Sequence, residues 1–188
     1  MATQKGMDKW KSKRWYTVYA PAVFEKKAVG EIPANDEKSV KGRNVKVTLS
    51  NLTGNPEHSY TNVIFKITEV SGNSANTKLE RIELPYSYTK SIAKKFRSVF
   101  DAIVKTKSSD GTTFVVKVIG ITARKSAHAK IQAMRKELTS FTEKFFASGT
   151  ADEGIKAIVE KRYQEGAAAL LKDIVPVNNL EVKKLELL

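Results

Sequence analysis

Four runs of alternating apolar and polar residues, joined in pairs by turn residues, commit this chain to an antiparallel sheet. Val45, Val47 and Leu49 alternate with Lys46, Thr48 and Ser50; Val63, Phe65 and Ile67 alternate with Ile64, Lys66 and Thr68. A period of two puts one side of each strand in the core and the other in water. Thr53-Gly54-Asn55-Pro56 turns the chain between these runs, and Gly72-Asn73 closes the second. The pattern repeats downstream: Phe100, Ala102 and Val104, then Ser108-Ser109-Asp110-Gly111, then Phe114, Val116 and Val118. Asp-Gly between two alternating runs is a hairpin signal, because both residues tolerate the positive φ of a tight turn.

The period changes in the last third. Ile131, Met134, Leu138, Phe141 and Phe145 recur at spacings of three and four, one apolar stripe of a helix. Thr150 and Glu153 form a capping-box pair that opens a second helix through Ile155, Ile158, Val159 and Tyr163. Gly166 is expected to interrupt it, Ala167–Asp173 to add a short turn of helix, and Pro176 to stop it. Leu180 and Val182 suggest a final strand. Between the hairpins, Thr89–Arg97 is predicted as a short helix with Ile92 and Phe96 facing the core. The predicted class is α+β: an antiparallel sheet or small β-barrel, with helices mainly in the C-terminal third, about residues 126–175.

The 188 residues fit one domain, expected over 13–188, preceded by a flexible basic arm over 1–12. Apolar residues make up 41% of the chain, enough for a core without staples. With no cysteine there is no disulfide framework, thiolate zinc site or thiol nucleophile. No run approaches the ~20 apolar residues of a membrane helix, and the first residues lack the apolar block of a secretory signal. A soluble cytoplasmic protein without membrane contact is the expectation.

Charge narrows the function. Lys and Arg number 33 against 20 Asp and Glu, a net of +13. Residues 1–27 hold seven basic and two acidic side chains, and residues 91–136 hold eleven and two. Residues 137–188, by contrast, hold seven basic and nine acidic. Concentrated like charge costs stability unless a polyanion neutralises it, so the expected partner carries phosphates, and the cations are expected to form one continuous outer surface. The first group is Lys9, Lys11, Lys13 and Arg14 among Trp10, Trp15 and Tyr16, a mixture suited to phosphates and unpaired bases. Phosphate contact is the favoured reading for the lysines and packing against the sheet for Trp15. Lys90, Lys94 and Arg97 fall on one helical stripe beside Lys95, with no Asp or Glu between Lys90 and Arg97. Arg124, Lys125, His128, Lys130, Arg135 and Lys136 run from a strand end into the long helix, where Ser126 stands in the capping position. Lys41-Gly42-Arg43 is a weaker fourth signal.

Catalysis finds little support. His58 reads as a solvated turn residue, and His128, set among cations, reads as a phosphate contact. No Gly-rich phosphate loop is present, and Glu80, Glu83 and Asp101 lack the flanking residues of an acid–base pair. The expectation is a non-enzymatic RNA-binding protein without cofactor or metal. The alternatives are a free regulatory RNA-binding protein and, less favoured, an RNA-processing enzyme.

Lys13-Arg14-Trp15-Tyr16, Val18, Ala20-Pro21 and Phe24 resemble the opening motif of the S3Ae (eS1) family of ribosomal proteins. So, in the same order, do Lys41-Gly42-Arg43 with Val45, Val47 and Leu49, and Lys105-Thr106 with Asp110-Gly111. Ile121-Thr122-Ala123-Arg124-Lys125 and Ala133-Met134-Arg135-Lys136 complete the set, and the short tails resemble archaeal members. Two segments depart from the family pattern: the acid-bearing Glu31–Ser39 and the Asn/Ser-rich Gly72–Leu79. The resemblance implies a structural protein of the small subunit, on its platform near the mRNA exit. Its implied partners are small-subunit ribosomal RNA, neighbouring platform proteins and mRNA near that exit.

Overall fold

Both predicted hairpins are present in the computed structural model, which describes Trp10 and residues 13–188. In chain order the elements are β1 (Arg14–Tyr19), β2 (Ala28–Ala34), α1 (Glu37–Val40), β3 (Asn44–Thr48), α2 (Leu49–Thr53), β4 (Asn62–Ser71) and β5 (Ser74–Glu83). There follow α3 (Tyr86–Ile92), β6 (Val99–Lys107), β7 (Thr113–Thr122), α4 (His128–Ala147), α5 (Ala151–Val159), α6 (Arg162–Leu171) and β8 (Val177–Leu187). β3 and β4 pair antiparallel with Val47 opposite Val63, and β6 and β7 pair antiparallel with Val104 opposite Val116. Their alternating residues Val63, Phe65, Phe100, Val104, Phe114, Val116 and Val118 are buried. The first turn is longer than the sequence suggested, holding α2 and a 3-10 turn over Pro56–His58.

The eight strands of the described residues belong to one sheet, in the order β2-β1-β5-β8-β7-β6, with β4 and then β3 branching from β5. The sheet is open, not a barrel, and it is mixed: β1 runs parallel to β5 at Thr17–Tyr19 opposite Ser74–Asn76. β5 begins in the Asn/Ser-rich departure, and the second half of β2, Glu31–Ala34, falls in the acid-bearing one. Neither has a clean apolar alternation; β5 turns only Ala75, Thr77, Leu79 and Ile82 inward. The C-terminal strand β8 sits at the centre, between β5 (Arg81–Glu83 opposite Lys184–Glu186) and the whole of β7.

The helices gather in the C-terminal half, where α4 lies against β6 and α6 against β8. Ile131, Met134 and Leu138 of α4 are buried as predicted, but the stripe continues through Thr142 and Phe146, leaving Phe141 and Phe145 half-buried. The Thr142 hydroxyl sits 2.6 Å from the Leu138 carbonyl and 2.7 Å from the Tyr163 hydroxyl, so a polar pair closes this part of the core. Burial pushes the Tyr163 phenol up to about 12. The Thr150–Glu153 capping box is formed. Gly166, however, lies inside α6, and the break between α5 and α6 falls at Lys161, which is left-handed (φ 61°). A Cβ on Gly166 would lie 3.3 Å from the Phe141 ring, so this glycine serves close packing rather than helix termination. A second, smaller cluster of Tyr16, Val18, Ala34, Val40, Ile67 and Ala75 fills the β1–β2 end of the sheet.

Candidate nucleic-acid interface

Hydrogen bonds of Ser98 join two of the predicted basic groups. The Ser98 N–H donates to the Thr122 hydroxyl (2.9 Å), and the Thr122 N–H donates to the Ser98 carbonyl (3.0 Å). The Ser126 N–H donates to Ser98 Oγ (3.0 Å), and the Thr122 hydroxyl lies 2.7 Å from the Arg124 carbonyl. Thr122 is fully buried, so it acts as an internal peg. Val99 pairs with Ile121 just inside this clamp. Lys94, Lys95 and Arg97 on one side, and Arg124, Lys125, His128 and Lys130 on the other, are thereby held at a single end of the sheet.

The start of α4 completes this patch. Ser126 does not cap the helix: the N-cap is Ala127, which offers no side-chain acceptor, and Ser126 Oγ turns back towards the Arg124 carbonyl (3.3 Å). The first amides of α4, at His128, Ala129 and Lys130, therefore have no partner within the helix. They open beside a cleft of about 360 Å3 lined by Arg124, Lys125, Ser126, Lys130 and Pro176. Positive backbone ends and fixed cations at one cleft suit a phosphate. Lys136 is exposed further along α4, and His128 faces Gln132 (3.2 Å). Arg135 instead reaches Asp101 of β6 (3.2 Å), pinning helix to strand. Among the described residues no ion pair involves Lys90, Lys94, Lys95, Arg97, Arg124, Lys125, Lys130 or Lys136.

The helical stripe expected over Thr89–Arg97 is not formed. α3 starts at Tyr86 behind Pro85 and ends at Ile92, with Ala93 extended, so Lys94, Lys95 and Arg97 lie on a turn. Phe96, expected in the core, is instead 85% exposed and left-handed (φ 62°). Lys90 remains on the helix with its ammonium 4.8 Å from the centre of the Tyr86 ring.

A second patch forms at the other end. Arg14 and Trp15 open β1, opposite Ala34 and Pro33 of β2, and the Arg43 guanidinium donates to the Pro33 carbonyl (3.4 Å). The Gly42 N–H donates to the Ile67 carbonyl (2.9 Å) at φ 84°, a conformation that suits glycine and sets Lys41 and Arg43 either side of it. Trp15, expected to pack, is 54% exposed, because Tyr16 takes the inward position. Lys13 covers the Trp10 ring at 4.2 Å. Lys9 and Lys11 lie outside the described residues. Arg14 precedes the start of β5 while Thr122 lies beyond its end, and ten residues of strand span about 33 Å. The Arg14 group and the Arg124 group thus stand at opposite ends of the sheet.

His58 also departs from expectation. It is only 9% exposed, with its Nδ1 2.9 Å from the Thr53 hydroxyl. Burial, and then the nearby Lys161 ammonium, hold its pKa below the usual histidine value, which favours the neutral ring. Lys161 itself pairs with Glu57 at 2.8 Å. Among the described residues no group of three His, Asp or Glu is placed to hold a metal ion, and no helix is long and apolar enough to cross a membrane.

Comparison with known proteins agrees with the ordered landmarks from Lys13 to Tyr163: residues 1–188 match the Ribosomal S3Ae family. The chain belongs to that family. It is 30% identical to small ribosomal subunit protein eS1 of Methanobrevibacter smithii, over 100% of this chain and 97% of the relative. The protein of the same name from Archaeoglobus fulgidus is 31% identical over 96% of this chain and 87% of its own. That from Haloarcula marismortui is 30% identical over 92% and 81%. This S3Ae chain is therefore of the archaeal type.

Proposed function

We propose that this S3Ae-family chain is a structural, non-catalytic constituent of the small ribosomal subunit that holds ribosomal RNA by its phosphates. The observation that carries this reading is the Ser98–Thr122–Ser126 clamp, which gathers unpaired cations from two sequence regions around the uncapped start of α4. Fixed charges of this kind read backbone shape rather than sequence. The Arg14–Trp15–Lys41–Arg43 patch engages a separate RNA segment, the basic arm over 1–12 adds further cations, and residues 13–188 act as one domain. The shared name of the relatives supports assembly in the small subunit, and a cytoplasmic location goes with that reading. The family resemblance adds a platform position near the mRNA exit, with platform proteins and mRNA as neighbours.

Replacing Arg124, Lys125 and Lys130 by Glu should keep the protein out of small subunits in sucrose gradients of a complemented strain while leaving its fold intact by circular dichroism. The Ala version should lower the slope of log affinity for small-subunit RNA against log salt by about 2 to 2.7, at ~0.7 to ~0.9 per lost phosphate contact. Normal incorporation of the Glu variant would remove the patch from the interface. A wild-type protein that moderate salt strips from the subunit would instead mark a free regulator.

A further inference from the structure

Phe96 carries an inference that rests on the RNA-binding reading and extends it. Its ring is 85% exposed, and its backbone is left-handed (φ 62°), a region that a residue with a Cβ rarely occupies. Neither feature is relieved inside the protein. Tyr60 stacks on Tyr88 with centroids 4.8 Å apart, and Tyr86 lies under the Lys90 ammonium. Among the described residues Phe96 has no ring or cation neighbour. The turn that presents it is nonetheless held at both ends. Ala93 donates its N–H to the Lys90 carbonyl (3.3 Å), and Ser98 is clamped to Thr122 and Ser126. A strained, solvated ring on an anchored turn points to a role in binding rather than folding.

The flanking charge identifies the occupant. Lys94 and Lys95 precede the ring and Arg97 follows it, with no Asp or Glu from Leu84 to Phe100. A protein partner covering Phe96 would have to bury three cations next to an apolar contact. A nucleotide satisfies both demands at once, offering a flat base for the ring and phosphates for the cations. The base faces of a continuous duplex are already stacked, so the nucleotide must be unpaired. We propose that Phe96 is a stacking post for one unpaired nucleotide of the small-subunit RNA, with Lys94, Lys95 and Arg97 on the adjoining phosphates. Ser98, two residues beyond the ring, is bonded to Ser126 just ahead of α4, so the proposed strand continues towards Arg124, Lys125 and Lys130.

The test measures binding of the full chain to small-subunit RNA across a salt series, with incorporation into subunits as a second readout. Phe96→Ala and Phe96→Leu should each weaken RNA binding by about 5- to 150-fold, the range of a lost base–aromatic stack, with the salt slope unchanged. Phe96→Trp should bind at least as well as wild type. Lys94→Ala with Lys95→Ala should lower the slope by about 1.4 to 1.8. Phe96→Gly should raise the thermal midpoint of the free protein while weakening RNA binding, separating the ring's role from stability. If Phe96→Leu binds RNA as wild type does while the Arg124/Lys125/Lys130 Ala variant loses affinity, the stacking post is wrong and the phosphate patch stands. If both bind as wild type, the patch falls as well. If Phe96→Leu binds free RNA normally but fails to enter subunits, the ring contacts a protein neighbour, and the proposal is overturned.

Discussion

Gly120 shows how closely single positions are specified. It stands opposite Phe100 across β6 and β7, and a Cβ built there would lie 2.2 Å from the Phe100 ring. The ring, itself 1% exposed, covers the bare backbone of the glycine and fills the place of its missing side chain. Gly120→Ala should therefore destabilise the protein by about 1 to 3 kcal/mol through overpacking, read as a lower urea midpoint. In a Phe100→Leu background the same change should cost less than it does in the wild-type chain. Equal costs in both backgrounds would mean that the ring is not what the glycine accommodates. Local pattern misplaced Phe96, His58 and Trp15. Phe96 was placed inside by a helical spacing that stops at Ile92, His58 in solvent by a turn that in fact packs it against Thr53, and Trp15 against a sheet whose inward register Tyr16 takes.

At the scale of elements, β8 joins what would otherwise be two sheets. Among the described residues β8 is the strand that hydrogen-bonds β1–β5 to the β6–β7 pair, with Leu185 opposite Ile82 on one side and Val116 on the other. Leu185 is fully buried, so Leu185→Ala should cost about 2 to 5 kcal/mol. Hydrogen exchange should then accelerate in β5 and β7 alike. Acceleration confined to one of them would show that the halves are stable independently. Both hairpins, the long helix and the capping box were legible in the sequence, because each follows from a local period or a local pair. β2 and β5 were not, since Gly30, Pro33, Ala75 and Thr77 make poor alternation and these strands exist only through their neighbours. The central place of β8 is likewise a tertiary fact, closed over more than one hundred residues, that no local pattern encodes.

For the whole molecule, the sheet sorts charge that the sequence only counts. The excess in residues 91–136 becomes one patch because β6 begins where β7 ends. Arg14 comes beside Arg43 because β2 returns along β1 and Arg43 bonds to Pro33. The three basic clusters were visible in advance, but their division between two ends of β5 was not. Arg135, predicted among the RNA contacts, holds α4 to β6 through Asp101. A surface with two separated cationic ends can bridge two RNA segments, a role for a structural component rather than for a single-site regulator.

Amine-reactive labelling of assembled small subunits and of the free protein, compared lysine by lysine by mass spectrometry, tests this directly. The account predicts that Lys94, Lys95, Lys125 and Lys130 become protected on assembly and that treating the subunits with nuclease restores their reactivity. Lysines that label equally in both states, or stay protected once the RNA is gone, would contradict it.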